Sequence, residues 1–304
     1  MTNRNNNILI TGATGFLATE LINQLQHTNY NVFALSSSKE KVIAKFGQKV
    51  ETYNLDEWEN GVLPLETMDV VIHCAFARAY KGGQEIAKSL LFTEKLFSRV
   101  IESKVSALIN ISSQEVYGKI PPIWREELEV APNTIYGTAK YYSELLAISL
   151  SENKSTHVTS IRLAGLLSAY TESRMVNKFV DNAFSNQPLR IVDGKLTFSQ
   201  LDVRDAVSGI IELLKVDFQN WRPIYNLGFT QSYSIQEIAD VVKEVARSYN
   251  RDVEILKEPS DTNIEIKLDS SVFYTQTGWK PKYEMKSIVE SIFEYKLNSD
   301  NGIK

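Results

Sequence analysis

Residues 7–18 read NILITGATGFLA. A short β-branched and apolar run, Asn7 to Thr11, breaks into a turn holding Gly12 and Gly15 and then resumes as a helix-like run ending near Thr28. Glycines three apart let the turn tighten and let backbone approach a pyrophosphate, and the helix start offers N–H groups and a favourable dipole. Ala18 takes the third small position, where close helix–strand packing is the requirement. Strand, glycine turn and helix in that order predict a dinucleotide site at the head of a βαβ chain.

The rest of the first half keeps this rhythm. NVFALS (31–36) precedes KEKVIAKF (39–46), and KVETYNL (49–55) and DVVIHCA (69–75) precede a helical pattern from Gly83 to Ser103. SALINISS (106–113) leads to a helix carrying Tyr136, and HVTSIRLAG (157–165) follows. Apolar strands separated by helices imply a doubly wound parallel sheet of Rossmann type, class α/β. After Gly165 helical patterns dominate at 174–186, 203–215, 234–249 and 285–296, with short strands PLRIV (188–192) and PIYNLG (223–228). Residues 1–165 are therefore expected to form the dinucleotide-binding domain, with return segments near 202–227. Residues 166–201 and 228–304 are expected to form a smaller mixed α/β substrate lobe.

Composition narrows the field. With 43% hydrophobic and 23% charged residues over 304 positions, the chain fits a soluble globular protein with a sizeable core. A net charge of −4 gives no electrostatic reason to expect nucleic acid or an anionic membrane as partner. No apolar stretch reaches a membrane span, and the polar start MTNRNNNILIT does not resemble a signal peptide. The single cysteine, Cys74, excludes an internal disulfide and suits a reducing cytoplasm. His27, His73 and His157 are scattered, so no metal is expected.

The chemistry is expected at the strand ends. Ser113 closes an apolar strand where ligands bind in open α/β sheets. Tyr136 and Lys140, in NTIYGTAK (133–140), stand one helical turn apart, and Tyr136 follows Ser113 by 23 residues. An ammonium beside a phenol is expected to lower its pKa toward a value useful for proton transfer, while a serine hydroxyl steadies charge on a substrate oxygen. At the end of the second strand the usual acid for the ribose hydroxyls is missing: Ser36, Ser37, Ser38 and Lys39 stand there, followed by Glu40. That loop leans toward NADP rather than NAD.

TGATGFLA, DVVIHCAFA, SSQEVYG, YGTAK, IRLAG, LDVRDAV, YNLG and TGWKPK occur in the order seen in extended short-chain dehydrogenases/reductases. Across nearly its whole length the chain resembles the NAD-dependent epimerase/dehydratase family, nucleotide-sugar branch. The resemblance implies Ser113, Tyr136 and Lys140 as catalytic residues. It places Gly12, Thr14, Gly15, Phe16 and Leu17 at the pyrophosphate and Asn54 and Leu55 at the adenine. Cys74, Ala75, Phe76 and Ala77 would run along the cofactor through backbone atoms. Arg78, Ser113, Glu115 and Gly165 would meet the substrate. It also implies a homodimer, built on helices 83–103 and 135–151 with Ile86, Leu90, Phe97, Ile101, Tyr141, Leu145 and Ile148.

Four positions depart from the family pattern. Ser89 stands for an asparagine, Gly165 for another, and Gln114 for an acid of the sugar dehydratases; Lys195 is the cation nearest to the place of a diphosphate-binding arginine. The reading is a nucleotide-sugar epimerase or 4-ketosugar reductase, with a reductase of non-sugar carbonyls or a non-catalytic NAD(P) sensor as alternatives. A dehydratase ranks below them, because Gln114 cannot deliver a proton to a leaving hydroxyl.

Overall fold

The computed structural model describes residues 6–118, 123–170, 174–229 and 231–300, apart from the side chains of 193–195, 261–264 and 299–300. The first half runs β1 (Asn7–Thr11), α1 (Phe16–Leu25), β2 (Asn31–Leu35), α2 (Lys39–Phe46), β3 (Glu51–Tyr53), α3 (Leu55–Glu59), β4 (Val70–His73), α4 (Gly83–Glu102) and β5 (Ala107–Ser113). Next come β6 (Ile123–Trp124), α5 (Ile135–Ser151), β7 (His157–Leu163), β8 (Gly165–Leu167), α6 (Met175–Phe184) and β9 (Leu189–Asp202). The chain then forms α7 (Val203–Lys215), β10 (Ile224–Leu227), β11 (Ser232–Ser234), α8 (Ile235–Ser248), β12 (Ile255–Ile264), β13 (Lys267–Leu268), α9 (Ser271–Thr277) and α10 (Met285–Asp300).

Seven strands build one parallel sheet in the order β10-β7-β5-β4-β1-β2-β3. The strands in its middle are apolar throughout because helices cover both faces: Ile8, Leu9 and Ile10 of β1 have no solvent exposure. From β1 the chain winds one way through β2 and β3, and from β4 the other way through β5, β7 and β10. The reversal lies between β1 and β4, and the carboxyl ends of these two strands open the crevice in which ligands of such sheets bind. β9 is the hub of a smaller sheet, pairing with β11, β12 and β8. A separate apolar cluster joins α6, α8 and α10 through Val180, Val242 and Phe293, all fully buried.

Two sequence motifs meet each other here. Asp205 of LDVRDAV (201–207) and Ser208, the residue after that motif, lie on α7. The Asp205 carboxylate accepts the backbone N–H groups of Lys282 and Tyr283 at 2.8–3.0 Å, and Ser208 accepts the indole N–H of Trp279 at 2.9 Å. TGWKPK is thus a strap over α7 that pins the C-terminal segment to the large sheet.

Candidate active site

Gly12 leaves β1 with φ +67°, and a Cβ there would sit 2.7 Å from the Cα of Ala75, so the glycine turn and the loop after β4 touch backbone to backbone. The first turn of α1 has no side-chain cap at Gly15 and no acidic residue. Gly15, whose N–H is bonded to Gly12 O at 2.7 Å, lines the cleft with Phe16 and Leu17 of that first turn. An uncapped helix start of ten residues in this position fits a pyrophosphate.

The loop after β4 is held by a buried polar chain whose directions are fixed. The Thr93 hydroxyl donates to Ser89 O at 2.7 Å, so it accepts from His73 Nε2 at 2.9 Å. His73 Nδ1 must then accept from the Thr11 hydroxyl at 2.8 Å, and Thr11 Oγ1 in turn accepts the Ala75 N–H at 3.3 Å. Ser89 accepts the Ala77 N–H directly at 2.9 Å and donates to Glu85 O, so the departure from asparagine keeps a bond to this loop without a mediating water. Burial pushes the His73 imidazole down to about 3, which keeps it neutral in this chain of bonds.

Ser113 ends β5, and the Thr134 hydroxyl caps α5 by accepting the Gly137 N–H at 2.9 Å. The same hydroxyl donates to Glu115 Oε2 at 3.1 Å. These contacts hold the turn after Ser113 against the start of α5, and Ser113 and Tyr136 line the same cleft, with the Ser113 hydroxyl accepting the Glu115 N–H at 3.2 Å. Lys140 is 3% exposed; its Nζ donates to Ile111 O at 2.7 Å and lies 5.9 Å from the Tyr136 ring centroid. Ser113, Tyr136, Lys140, Cys74, Phe76, Arg78, Glu115 and Gly165 all line one cleft with Gly15, Phe16 and Leu17.

The electrostatics differ from the expected phenol activated by its ammonium. Burial pushes Tyr136 up to about 12, with Glu115 adding to the rise and Arg174, Arg78 and Ser113 opposing it. Burial likewise holds Lys140 down to about 7, against the pull of Cys74 and Glu144. Desolvation is the largest cause for both groups, and a phenol shifted this way is neutral at pH 7. Burial also pushes the Cys74 thiol up to about 12, which leaves it unreactive.

Other expected positions shift in meaning. Phe76 presents its ring rather than backbone alone: the ring centroid lies 3.9 Å from Lys140 Nζ and 6.0 Å, edge to face, from the Tyr136 ring. Asn54 is the N-cap of α3, accepting Glu57 N at 2.8 Å, and Leu55 is 40% exposed beside it. Lys39 is ion-paired with Glu57, and the nearly buried Ser36 accepts the Ser38 N–H at 3.1 Å. Ser37, between them, is exposed, and the side chain of Lys195 falls outside the described residues. Thr14 is exposed in the glycine turn.

Arg174 escaped the sequence reading. It stands at the rim of the cleft just before α6, and loss of water together with the charge of Arg78 holds its guanidinium below the ordinary range. Beneath the site, Arg162 of β7 and Glu144 of α5 form a buried pair at 2.8 Å. Ser112 Oγ donates to Glu144 at 2.5 Å. No group of three or more His, Cys, Asp or Glu able to hold a metal occurs among the described residues.

A glycine turn at the switch point of a parallel sheet, facing a Ser–Tyr–Lys cluster, is the architecture of a Rossmann-type dinucleotide protein. The chain belongs to the NAD dependent epimerase/dehydratase family, whose model matches residues 8–228. It is 21% identical to the UDP-glucose 4-epimerase of Caenorhabditis elegans, over 97% of this chain and 99% of that protein. It is 24% identical to UDP-glucuronic acid decarboxylase 1 of Arabidopsis thaliana, over 97% of this chain and 72% of that one. Among solved structures, the UDP-glucose 4-epimerase of Thermotoga maritima with UDP-glucose superposes with a TM-score of 0.81 at 19% identity, covering 96% of this chain and 99% of that. The UDP-glucuronic acid 4-epimerase of Bacillus cereus in complex with NAD reaches 0.82 at 19% identity, covering 96% of both chains.

Proposed function

We propose that this protein is an NAD-dependent epimerase acting on a ring carbon of a nucleotide-activated sugar. One observation carries the reading: Ser113, Tyr136 and Lys140 line the same cleft as the glycine turn, with Lys140 Nζ 5.9 Å from the Tyr136 ring centroid. Bound along Gly12–Leu17 and the loop after β4, NAD supplies the acceptor and donor of hydride. Tyr136 takes the proton of the substrate hydroxyl and returns it to the carbonyl oxygen, and Ser113 holds that oxygen in place. Lys140 orients the cofactor's nicotinamide ribose and, as its charge returns, favours the phenolate. Arg78 and Arg174 line the cleft without an ion pair to any described carboxylate, which suits the anionic groups of a nucleotide sugar.

A 4-ketosugar reductase would use the same three residues. Dehydration fits less well, because Gln114 is an amide and Glu115 already accepts the Thr134 hydroxyl. The expected lean to NADP rests on the missing acid at Ser36 together with Ser36, Ser37, Ser38 and Lys39, and of these the charge of Lys39 is taken by Glu57; NAD, the cofactor carried by the Bacillus cereus neighbour, is our assignment.

We also place the protein in the cytoplasm, on its single free thiol, and read it as a homodimer. No described helix is long and apolar enough to cross a membrane. Ile86, Phe97 and Ile101, expected at the dimer face, are buried within the subunit. Leu145 and Ile148, also expected there, are exposed at 46 and 43%, and Leu91 and Tyr142 join them at 72 and 51%.

The test is steady-state turnover of UDP-hexoses by Tyr136→Phe and Ser113→Ala. Tyr136→Phe should lose about two to four orders of magnitude in kcat with NAD binding intact, and Ser113→Ala should lose less. Near-full activity in Tyr136→Phe would end this reading.

A further inference from the structure

At the far end of the cofactor crevice, the carboxyl ends of β2 and β3 face the first turns of α2 and α3. Lys39 is the first residue of α2, and its Nζ lies 2.6 Å from Glu57 Oε1 and 6.0 Å from the centroid of the Tyr53 ring. The other oxygen of Glu57 accepts the Asn54 N–H at 2.7 Å, closing a capping box with the Asn54 side chain. Both carboxylate oxygens are therefore engaged, and the acid cannot swing away from the lysine without uncapping α3. Strand β2 itself ends in Leu35 and Ser36, and Ser36 Oγ is turned into its own loop, accepting the Ser38 N–H. The edge at which an adenosine ribose would lie thus holds a cation, but one already neutralised by an acid from the neighbouring strand–helix turn.

We propose that Glu57 sets the cofactor choice of this protein: by fixing Lys39 in an ion pair it denies a cation to a ribose 2′-phosphate, so the site takes NAD in preference to NADP. The acid that usually follows β2 is replaced in function by one borrowed from the end of β3. The bond from Lys39 holds the Glu57 carboxyl below the usual carboxylate range, so the acid stays ionised at all neutral pH values. A 2′-phosphate would find the charge of Lys39 already taken and would have to displace that bond to use it.

This inference rests on the dinucleotide reading above, and its test separates the two. Kd values for NADH and NADPH are measured by calorimetry on the intact protein and on Glu57→Gln, Lys39→Met and the double variant. Wild type should bind NADH about tenfold or more tightly than NADPH, the scale of one charge-assisted bond to phosphate. Glu57→Gln keeps the α3 cap, because glutamine serves equally in a capping box. It frees Lys39, so NADPH affinity should rise about tenfold while NADH affinity stays within about twofold. In the Lys39→Met background the same substitution should bring no such gain. A wild-type preference for NADPH, or a gain that persists without Lys39, overturns the proposal and leaves the dinucleotide site standing. Failure of wild type to bind either dinucleotide overturns both.

Discussion

The Nζ of Lys140 lies 3.9 Å from the centroid of the Phe76 ring and 2.7 Å from the carbonyl oxygen of Ile111, so the amine is enclosed between an aromatic face and the edge of β5. A ring face and one carbonyl stabilise a cation, but they do not replace the water it has lost, and the amine titrates near 7 instead of near its ordinary 10.5. The cluster that gives the site its chemistry is therefore a cost to the fold.

Lys140→Met should make the ligand-free protein more stable while lowering NAD affinity and turnover. The sign of the pH dependence follows from the depressed value. Between about 7 and 10.5 the unfolded chain holds a proton on this lysine that the folded chain does not. Wild-type stability from this group is thus lowest below about 7 and recovers as pH rises toward 10.5. In urea titrations the advantage of the Met variant should be largest near neutrality or below and shrink as pH is raised. An advantage that does not change with pH, or a Met variant that is weaker at every pH, would refute the enclosed cation.

Gly137→Ala should separate the catalytic pair. A Cβ on Gly137 would stand 2.5 Å from the carbonyl oxygen of Glu115, so α5 must retreat from the turn that follows Ser113. Overpacking of this kind costs about 1–3 kcal/mol. Turnover should fall well beyond the loss of stability, and NAD affinity should fall less than turnover, since Lys140 moves with α5 while the glycine turn does not. Wild-type kcat in the Ala variant would show that the placement of Tyr136 beside Ser113 does not depend on this approach.

Leu145→Lys should yield a monomer. The side chain is 46% exposed on α5, beside the exposed Tyr142 and Ile148 and across from Leu91 of α4. Sedimentation at micromolar concentration should show a dimer for wild type and half that mass for the variant, with a far-ultraviolet spectrum unchanged. A wild-type monomer would remove the dimer, and a variant that stays dimeric would move the contact elsewhere.

What the sequence disclosed and what it hid divide along contact distance. The turn at Gly12 and the Tyr136–Lys140 spacing are local patterns, in which periodicity and backbone need are written within a few residues. The parallel sheet followed from strands and helices in alternation, although its strand order required the structure. Lys39 and Glu57 are separated by a whole strand, and Arg174 meets Arg78 only through the folded cleft, so neither pairing leaves a local signal. The pKa of Tyr136 could not be read from its neighbour at i+4, because burial decides it and burial is a property of the whole fold. Phe76 is expected from the sequence to meet the cofactor through its backbone, and only the packing shows its ring on the lysine.

The last strand of the large sheet has a consequence for how the chain is made. β10 pairs with β7 from Ile224 to Leu227, and its Asn226 accepts the Tyr117 hydroxyl at 2.7 Å and donates to Trp124 O and Asp269 O at 3.1 Å. A nascent chain emerging from the ribosome has every cofactor and catalytic residue outside the tunnel long before residue 227 appears. Until then β7 carries a bare edge, and the loop behind Ser113 has no anchor. The order of synthesis is thus not the order of completion: the half of the molecule translated first is closed by a strand from the half translated later.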